Sequence, residues 1–174
     1  MALLLISYPE LDAEDRARLR EIRRAHDPQY GIVEPHITFV FPVAGIAAEA
    51  FTAHVAGVLA DLPPIPFEFR QAIVIEDGAG ARGHVCLLPG PGHDAMWSLH
   101  ADLHEGPLAA YAASEIPFVP HLTVGCKDSV AAAQELADSL NQAGTWSSGM
   151  LRNFAVMEFG RGALRELERI DLGG

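Results

Sequence analysis

The sequence predicts an α+β protein with two pseudo-symmetric lobes, each an antiparallel sheet backed by helices, around a central cleft. Hydrophobic residues make up 49% of the 174 residues, which is typical of a globular chain with an ample core. A short strand-like phrase occurs twice, and its two histidines lie 121 − 36 = 85 residues apart, about half the chain. The pattern of each half also predicts the same order of elements: strand, helix, motif strand, helix and strand. No linker rich in Gly, Ser or Pro lies between the halves. We therefore expect a single bilobal domain over residues 1–174, with one motif in each lobe.

The first half begins with a buried apolar strand and continues with two helices whose ends are marked in the sequence. Asp12 is a good N-cap for the first helix, and Pro63 with Pro64 ends the second. The predicted strands of this half lie at 2–8, 36–41 and 67–75, and the predicted helices at 12–25 and 47–62.

The second half begins with the hairpin partner of the strand at 67–75. Gly144 is a stop signal for an alanine-rich helix. The predicted elements are a strand at 84–88, a helix within 92–111, a strand at 121–126, a helix at 129–143, and strands near 152–159 and 163–170. In the last of these, Glu166 and Glu168 alternate with Leu167 and Arg169 in a pattern that also suits a frayed helix.

Charge and composition narrow the classes of function. The formal net charge of −11 and the pI near 5.0 argue against a broad basic surface for long nucleic acids, but allow a small phosphate-bearing ligand.

The apolar run at 1–6 has no basic region before it and indicates a first strand rather than a signal peptide. No apolar run is long enough to span a membrane, so we expect a cytoplasmic location. We also expect a monomer. Cys86 and Cys126 lie in apolar stretches and are predicted to be buried free thiols.

The first motif is Pro-His-Ile-Thr-Phe-Val at residues 35–40. Its alternation predicts a strand with the polar pair His36 and Thr38 on one face. The opposite face carries three apolar residues: Ile37, Phe39 and Phe41.

The second motif, Pro-His-Leu-Thr-Val-Gly at residues 120–125, repeats the pattern. Alternation places His121 and Thr123 on one face together with Gly125 and Lys127. On that face Gly125 would leave room for a ligand, and Lys127 would add positive charge near a phosphate. A lysine at a strand end is equally well explained as a solvated residue.

These residue types suit chemistry at a phosphorus centre. A histidine and a threonine two positions apart are separated by about 6.6 Å along a strand, so both can contact one small anion. Two histidines on opposite sides of phosphorus can accept a proton from attacking water and deliver one to the departing sugar oxygen, without a metal ion. Threonine hydroxyls can donate hydrogen bonds to the non-bridging oxygens. Either phrase alone is better explained by strand propensity, whereas the matched pair favours function.

The paired phrases resemble the 2H phosphoesterase superfamily, which includes the bacterial RNA 2′,3′-cyclic phosphodiesterases also called 2′-5′ RNA ligases. The family pattern is His-apolar-Ser/Thr-apolar, twice, roughly eighty to ninety residues apart. The resemblance implies that His36 and His121 are the catalytic acid and base, that Thr38 and Thr123 bind phosphate, and that no metal or cofactor is needed. Which histidine is the acid depends on the orientation of the substrate. Family members that process RNA often carry an arginine soon after the second motif, where this chain has Cys126.

Two further residues are candidates for substrate binding. Arg82 lies in the connection at 76–83 and would contact a phosphate or a sugar. Tyr8 would stack on a base. No metal-binding residues are predicted.

The sequence thus predicts metal-independent hydrolysis of a phosphodiester, most simply a nucleoside or RNA-terminal 2′,3′-cyclic phosphate. One alternative is a non-catalytic module that binds nucleotides or RNA ends through the same cleft. Another is a phosphodiesterase for a small cyclic metabolite such as ADP-ribose cyclic phosphate. The expected partner is a nucleotide or a short RNA bearing a cyclic phosphate, with neither an extended nucleic-acid surface nor a membrane involved.

Overall fold

The computed structural model describes residues 1–78, 81–112, 118–144, 146–160 and 162–173. The helices of these residues are α1 (Ala13–His26), α2 (Ala48–Leu59), α3 (His93–Leu103) and α4 (Val130–Ala143), and a 3₁₀ helix covers Gly106–Tyr111. The strands are β1 (Ala2–Ser7), β2 (Glu10–Leu11), β3 (Ile37–Val43), β4 (Ile65–Glu76), β5 (Gly83–Pro89), β6 (Leu122–Lys127), β7 (Ser148–Leu151), β8 (Asn153–Gly160) and β9 (Ala163–Asp171).

The ends of two helices follow local signals in the sequence. Asp12 caps α1, because its side chain accepts a hydrogen bond of 2.8 Å from the backbone N–H of Asp15. Gly144 ends α4 with a φ of +61°, a conformation that glycine adopts without strain. Both predictions are confirmed.

The sequence patterns missed some elements. The short strands β2 and β7 were not predicted, since so few residues show no period. The helix expected within 92–111 is divided between α3 and the 3₁₀ helix. The C-terminal segment is a strand, and its partly buried residues recur at every third position, which explains the helix-like pattern: Leu164, Leu167 and Ile170.

The strands of the described residues lie in the order β2-β7-β4-β5-β6-β3-β1-β8-β9, and neighbouring strands run antiparallel. The predicted α+β class with antiparallel strands is confirmed. The strands form one continuous sheet, however, rather than a separate sheet in each half. The two halves join because the motif strands β3 and β6 pair at Ile37 and Leu122. The division into two lobes around a cleft remains a prediction.

The two faces of the sheet carry different apolar clusters. Leu3 and Leu5 of β1 belong to the main core, which also includes buried residues of the helices. Leu4 and Ile6, which alternate with them, pack in a smaller cluster with residues of β8 and β9. We call the side that carries Leu4 and Ile6 the second face. Thr38 lies opposite Ile6 in the β1–β3 pairing, so it belongs to the second face.

Irregular pairing in β3 changes the predicted alternation. Leu5 pairs with Val40 and the next residue, Ile6, pairs with Thr38, so β3 has one extra residue at this point. Phe39 and Val40 are both fully buried as a result, whereas Phe41 is 51% exposed. The prediction that Phe41 shares a face with Ile37 is therefore wrong, since a bulge reverses the alternation beyond it.

Candidate active site

The pairing of β3 with β6 brings the two motifs side by side. Ile37 lies opposite Leu122. Continuing this antiparallel register by one residue in each direction places His36 across from Thr123, and Thr38 across from His121. Side chains at such opposed positions have Cβ atoms about 5 Å apart, and diagonal positions, here the two histidines, are about 7–8 Å apart. At this separation of their Cβ atoms, two histidine side chains can contact one phosphate group from both sides.

Both histidines make the same local hydrogen bond. The Nδ1 atom of His36 lies 2.9 Å from the carbonyl oxygen of Glu34, and the Nδ1 atom of His121 lies 2.7 Å from that of Val119. A carbonyl oxygen can only accept, so each Nδ1 carries the hydrogen. In the neutral imidazole the Nε2 atom then has a free lone pair. Each ring is thus held in the tautomer that can accept a proton at Nε2.

Burial lowers the pKa of His36 and of His121 below the ordinary histidine value, and the carbonyl hydrogen bonds partly oppose this shift. The positive charges of Arg23 and, to a smaller extent, of His121 lower the pKa of His36 further, and the charge of Asp27 opposes them. Protonation of one ring therefore disfavours protonation of the other, and a singly protonated pair contains one base and one acid.

A buried ion pair supports the segment that leads to His36. The Arg23 Nε atom donates to the Asp27 carboxylate at 2.7 Å, and both side chains are 3% exposed. A second guanidinium nitrogen of Arg23 donates to the carbonyl of Val33 at 2.9 Å, and Asp27 accepts from the backbone of Gln29 at 2.9 Å. The pair thus links the end of α1 to the chain just before the first motif. Sequence reasoning missed it, although Arg and Asp four residues apart on a helix are a recognisable signal.

The structure adds His84 to the surroundings of the second motif. His84 pairs with Cys126, and Cys86 pairs with Thr123, whereas Val85 between them belongs to the main core. By alternation, His84 and Cys86 lie on the second face. The charge of His84 lowers the pKa of His121. Only the pairing of β5 with β6 could reveal this neighbour.

Cys86 is a buried free thiol, as predicted, and Cys126 is a partly buried one. The Cys86 Sγ atom lies 3.7 Å from the Thr123 hydroxyl. Burial raises the pKa of Cys86 to about 12, so the residue is protonated at neutral pH and does not act as a nucleophile.

Gly125 lies away from the motif residues. Val85 pairs with Gly125 and the next residue, Cys86, pairs with Thr123, so β6 contains an extra residue between them. A Cβ atom added to Gly125 would lie 3.1 Å from the Cβ of His26 and 3.1 Å from Leu136, on the helix side of the sheet. The prediction that Gly125 shares the face of His121 is therefore wrong: the bulge reverses the alternation.

Lys127 is placed by the same bulge. It pairs with Gly83, whose added Cβ would meet Ala133 of α4, so Lys127 also belongs to the helix side. Its Nζ atom lies 2.9 Å from the Nδ1 of His26 at the end of α1. The predicted shared face with His121 is again wrong for the same reason.

Arg82 and Tyr8 have different positions relative to the motifs. The Arg82 guanidinium lies 3.7 Å from Asp128, at the end of the β5–β6 pair remote from the histidines. Tyr8 directly follows β1. The β1–β3 register pairs residues 6 with 38 and 7 with 37, and its continuation places Tyr8 across from His36. The structure therefore brings Tyr8 to the first motif, and it does not bring Arg82 to either motif.

Residues 9–163 match the 2′-5′ RNA ligase superfamily, which amounts to 163 − 9 + 1 = 155 of the 174 residues. The chain belongs to this family, and the predicted relationship to the 2H phosphoesterases is confirmed. No curated protein matches the sequence.

Solved structures with similar folds include E. coli LigT complexed with 3′-AMP, at 21% identity and a TM-score of 0.56, with 99% of this chain and 98% of LigT covered. Kluyveromyces marxianus Usb1 has 9% identity and a TM-score of 0.59, with 95% and 97% covered. A further crystal structure, described as a phosphoesterase, has 18% identity and a TM-score of 0.56, with 99% of both chains covered. At these identities the likeness shows a shared fold. Of the described residues, no helix is both long and apolar enough to cross a membrane.

Proposed function

We propose that the protein hydrolyses a nucleoside or RNA-terminal 2′,3′-cyclic phosphate by acid and base catalysis with His36 and His121. The observation that carries the proposal is the matched environment of the two rings. Each donates its Nδ1 hydrogen to the carbonyl two residues earlier. Each also lies across from the threonine of the other motif.

The proposed reaction adds one water molecule across a P–O bond. One histidine, neutral, accepts a proton from water at Nε2 while the water oxygen forms a bond to phosphorus. The bond from phosphorus to one ribose oxygen breaks, and the second histidine, protonated, delivers its Nε2 proton to that oxygen. The product is a phosphomonoester with a free ribose hydroxyl. The two histidines have then exchanged protonation states, and proton exchange with solvent restores them.

Thr38 and Thr123 would stabilise the transition state. Both residues belong to the second face, where the register sets each across from the opposite histidine, and their hydroxyls would donate hydrogen bonds to the non-bridging oxygens. Negative charge on these oxygens increases as water attacks, so such donors act mainly on the rate. Loss of one donor of this kind typically lowers kcat about 10²- to 10³-fold.

The test measures turnover of nucleoside 2′,3′-cyclic phosphates, short RNAs ending in a cyclic phosphate, and ADP-ribose cyclic phosphate, by phosphorus NMR and chromatography. His36→Ala and His121→Ala should each lower kcat by at least about 10²-fold, the usual contribution of one acid or base. His93→Ala is the matched control, because His93 is exposed at the start of α3 beside Asp94. The folding of each variant is checked by its melting temperature.

Full activity in both motif variants on every substrate would refute the mechanism. Saturable binding of nucleotides by calorimetry without any product would instead support the alternative of a non-catalytic binding module. The substrate with the highest kcat/KM distinguishes an RNA end from a small cyclic metabolite.

A further inference from the structure

A cavity lies beside the first motif. Its volume is about 450 Å³, and its walls come from the segment after β1, from α1, from the chain before β3 and from β9. Three arginines line it: Arg16, Arg20 and Arg169. The chain has only 12 basic residues against 23 acidic ones, so this cavity concentrates a quarter of the positive side chains of an acidic protein.

The cavity adjoins the candidate active site through two residues. Tyr8 lines it and lies across from His36 in the β1–β3 register. Glu34 also lines it, and its carbonyl accepts the hydrogen bond from the Nδ1 of His36. A ligand with one phosphate between the two motifs would therefore extend directly into this cavity.

The arginines keep donors available for a ligand. Arg16 donates to the carbonyl of Leu11 at 3.2 Å, which uses one of its five N–H groups. Arg20 and Glu34 form a long ion pair of 3.5 Å between half-exposed side chains. A contact of this kind contributes little, so a phosphate can replace it at small cost.

Arg169 is held above the aromatic ring of Tyr8 by an ion pair with Glu166. Its guanidinium lies 5.2 Å from the centre of the Tyr8 ring, and it donates to Glu166 at 3.0 and 2.7 Å. Glu166 uses the Nε hydrogen and one Nη2 hydrogen, which leaves three of the five N–H groups of Arg169 for a phosphate. The acids that line the cavity are Glu10, which pairs with Arg152 at 3.3 Å, and Glu34.

We propose that this cavity is a subsite for a second phosphate group of the substrate, one nucleotide unit away from the phosphate that reacts. The inference rests on the proposed function, because the motif residues define where the first phosphate lies. The second phosphate belongs either to an internucleotide linkage of RNA or to the 5′ end of a small nucleotide. The test distinguishes these two sources.

The experiment measures binding, so it does not depend on turnover. Calorimetry compares adenosine 3′-monophosphate, adenosine 3′,5′-bisphosphate, and a dinucleotide with a 3′-phosphate. The second phosphate should tighten binding about tenfold, the effect of one well-formed charge-assisted hydrogen bond. A larger gain with the dinucleotide identifies an internucleotide phosphate, and a larger gain with the bisphosphate identifies a 5′-phosphate.

The double variant Arg20→Gln/Arg169→Gln should lose this gain and bind adenosine 3′-monophosphate as the wild type does. Arg165→Gln is the matched control, since Arg165 lies on the same strand as Arg169, is exposed and pairs with Glu158 at 2.9 Å outside the cavity. Equal affinity for all three ligands, or a gain that survives in the double variant, would overturn the subsite. If the protein hydrolyses none of the substrates but still shows this binding pattern, only the proposed function is refuted.

Discussion

Replacement of Gly125 by alanine tests the register of the second motif strand. The added Cβ would lie 3.1 Å from the Cβ of His26 and 3.1 Å from a methyl carbon of Leu136. It would also lie 3.4 Å from the backbone carbonyl oxygen of His26. The Cβ of His26 and this oxygen move only with the end of α1, so the variant forces a small helix displacement. Overpacking of this kind costs about 1–3 kcal/mol in the free energy of unfolding.

For a protein of this size, each kcal/mol lowers the melting temperature by about 2–4 °C. We expect that loss of stability with an unchanged kcat/KM for a cyclic nucleotide, measured well below the melting temperature. The matched control is Gly57→Ala, because Gly57 is exposed in α2 and an added Cβ meets nothing within 4 Å. Alanine at this helical position should stabilise the protein by about 0.5–1 kcal/mol.

The opposite pattern would refute the register. If Gly125→Ala lowered kcat/KM and left the unfolding free energy unchanged, Gly125 would border the ligand as the simple alternation of the motif predicts. The reversal of the faces at the β6 bulge would then be wrong.

Three other predictions follow from the site. Burial lowers the pKa of His36 and His121, so the unfolded chain binds more protons just below the ordinary histidine pKa. Stability should be full above that pKa and fall as the pH drops below it, towards the lowered pKa values of the folded state. Urea unfolding should show a shallower fall in His36→Ala/His121→Ala than in His93→Ala; equal slopes would contradict the shifts. His84→Gln should raise the pKa of His121, because it removes a positive charge, and move the limb of the pH–rate profile that His121 controls to higher pH. An unmoved limb would show that His84 does not act on His121. Asp27→Asn should destabilise the protein by about 3–5 kcal/mol, because it leaves Arg23 buried without its charge partner. A loss below about 1 kcal/mol, the value typical of an exposed ion pair, would show that the pair is not buried in solution.

The motif strands illustrate what local pattern can predict. Strand structure at residues 37–41 and 122–126 follows from alternation and β-branched residues, both of which act over a few neighbours. The relation of His36 to Thr38, and of His121 to Thr123, also follows from this period, because the bulges occur beyond those pairs.

The bulges themselves were beyond the reach of pattern reasoning. Phe41, Gly125 and Lys127 all lie after an extra residue in their strand, and each has the opposite orientation to the predicted one. A bulge depends on how many residues the partner strand presents, and the partner cannot be read from one strand alone.

The remaining neighbours of the site depend on contacts between distant segments. His84 and the arginine cavity join residues from separate elements. None of them carries a periodic or spacing signal that reaches across those elements.

The amino-acid sequence alone was sufficient to predict the fold class and the two His-x-Thr strands, because period, composition and repeat spacing are local or cumulative properties. The family was predicted from the resemblance of these two motifs to a known pattern. The folded arrangement decided which strands became neighbours, that one continuous sheet joined the halves at Ile37 and Leu122, and which side chains met across it. The physical reason is that strand pairing is a contact between segments far apart in sequence, and a one-residue change of register moves every later side chain to the other face.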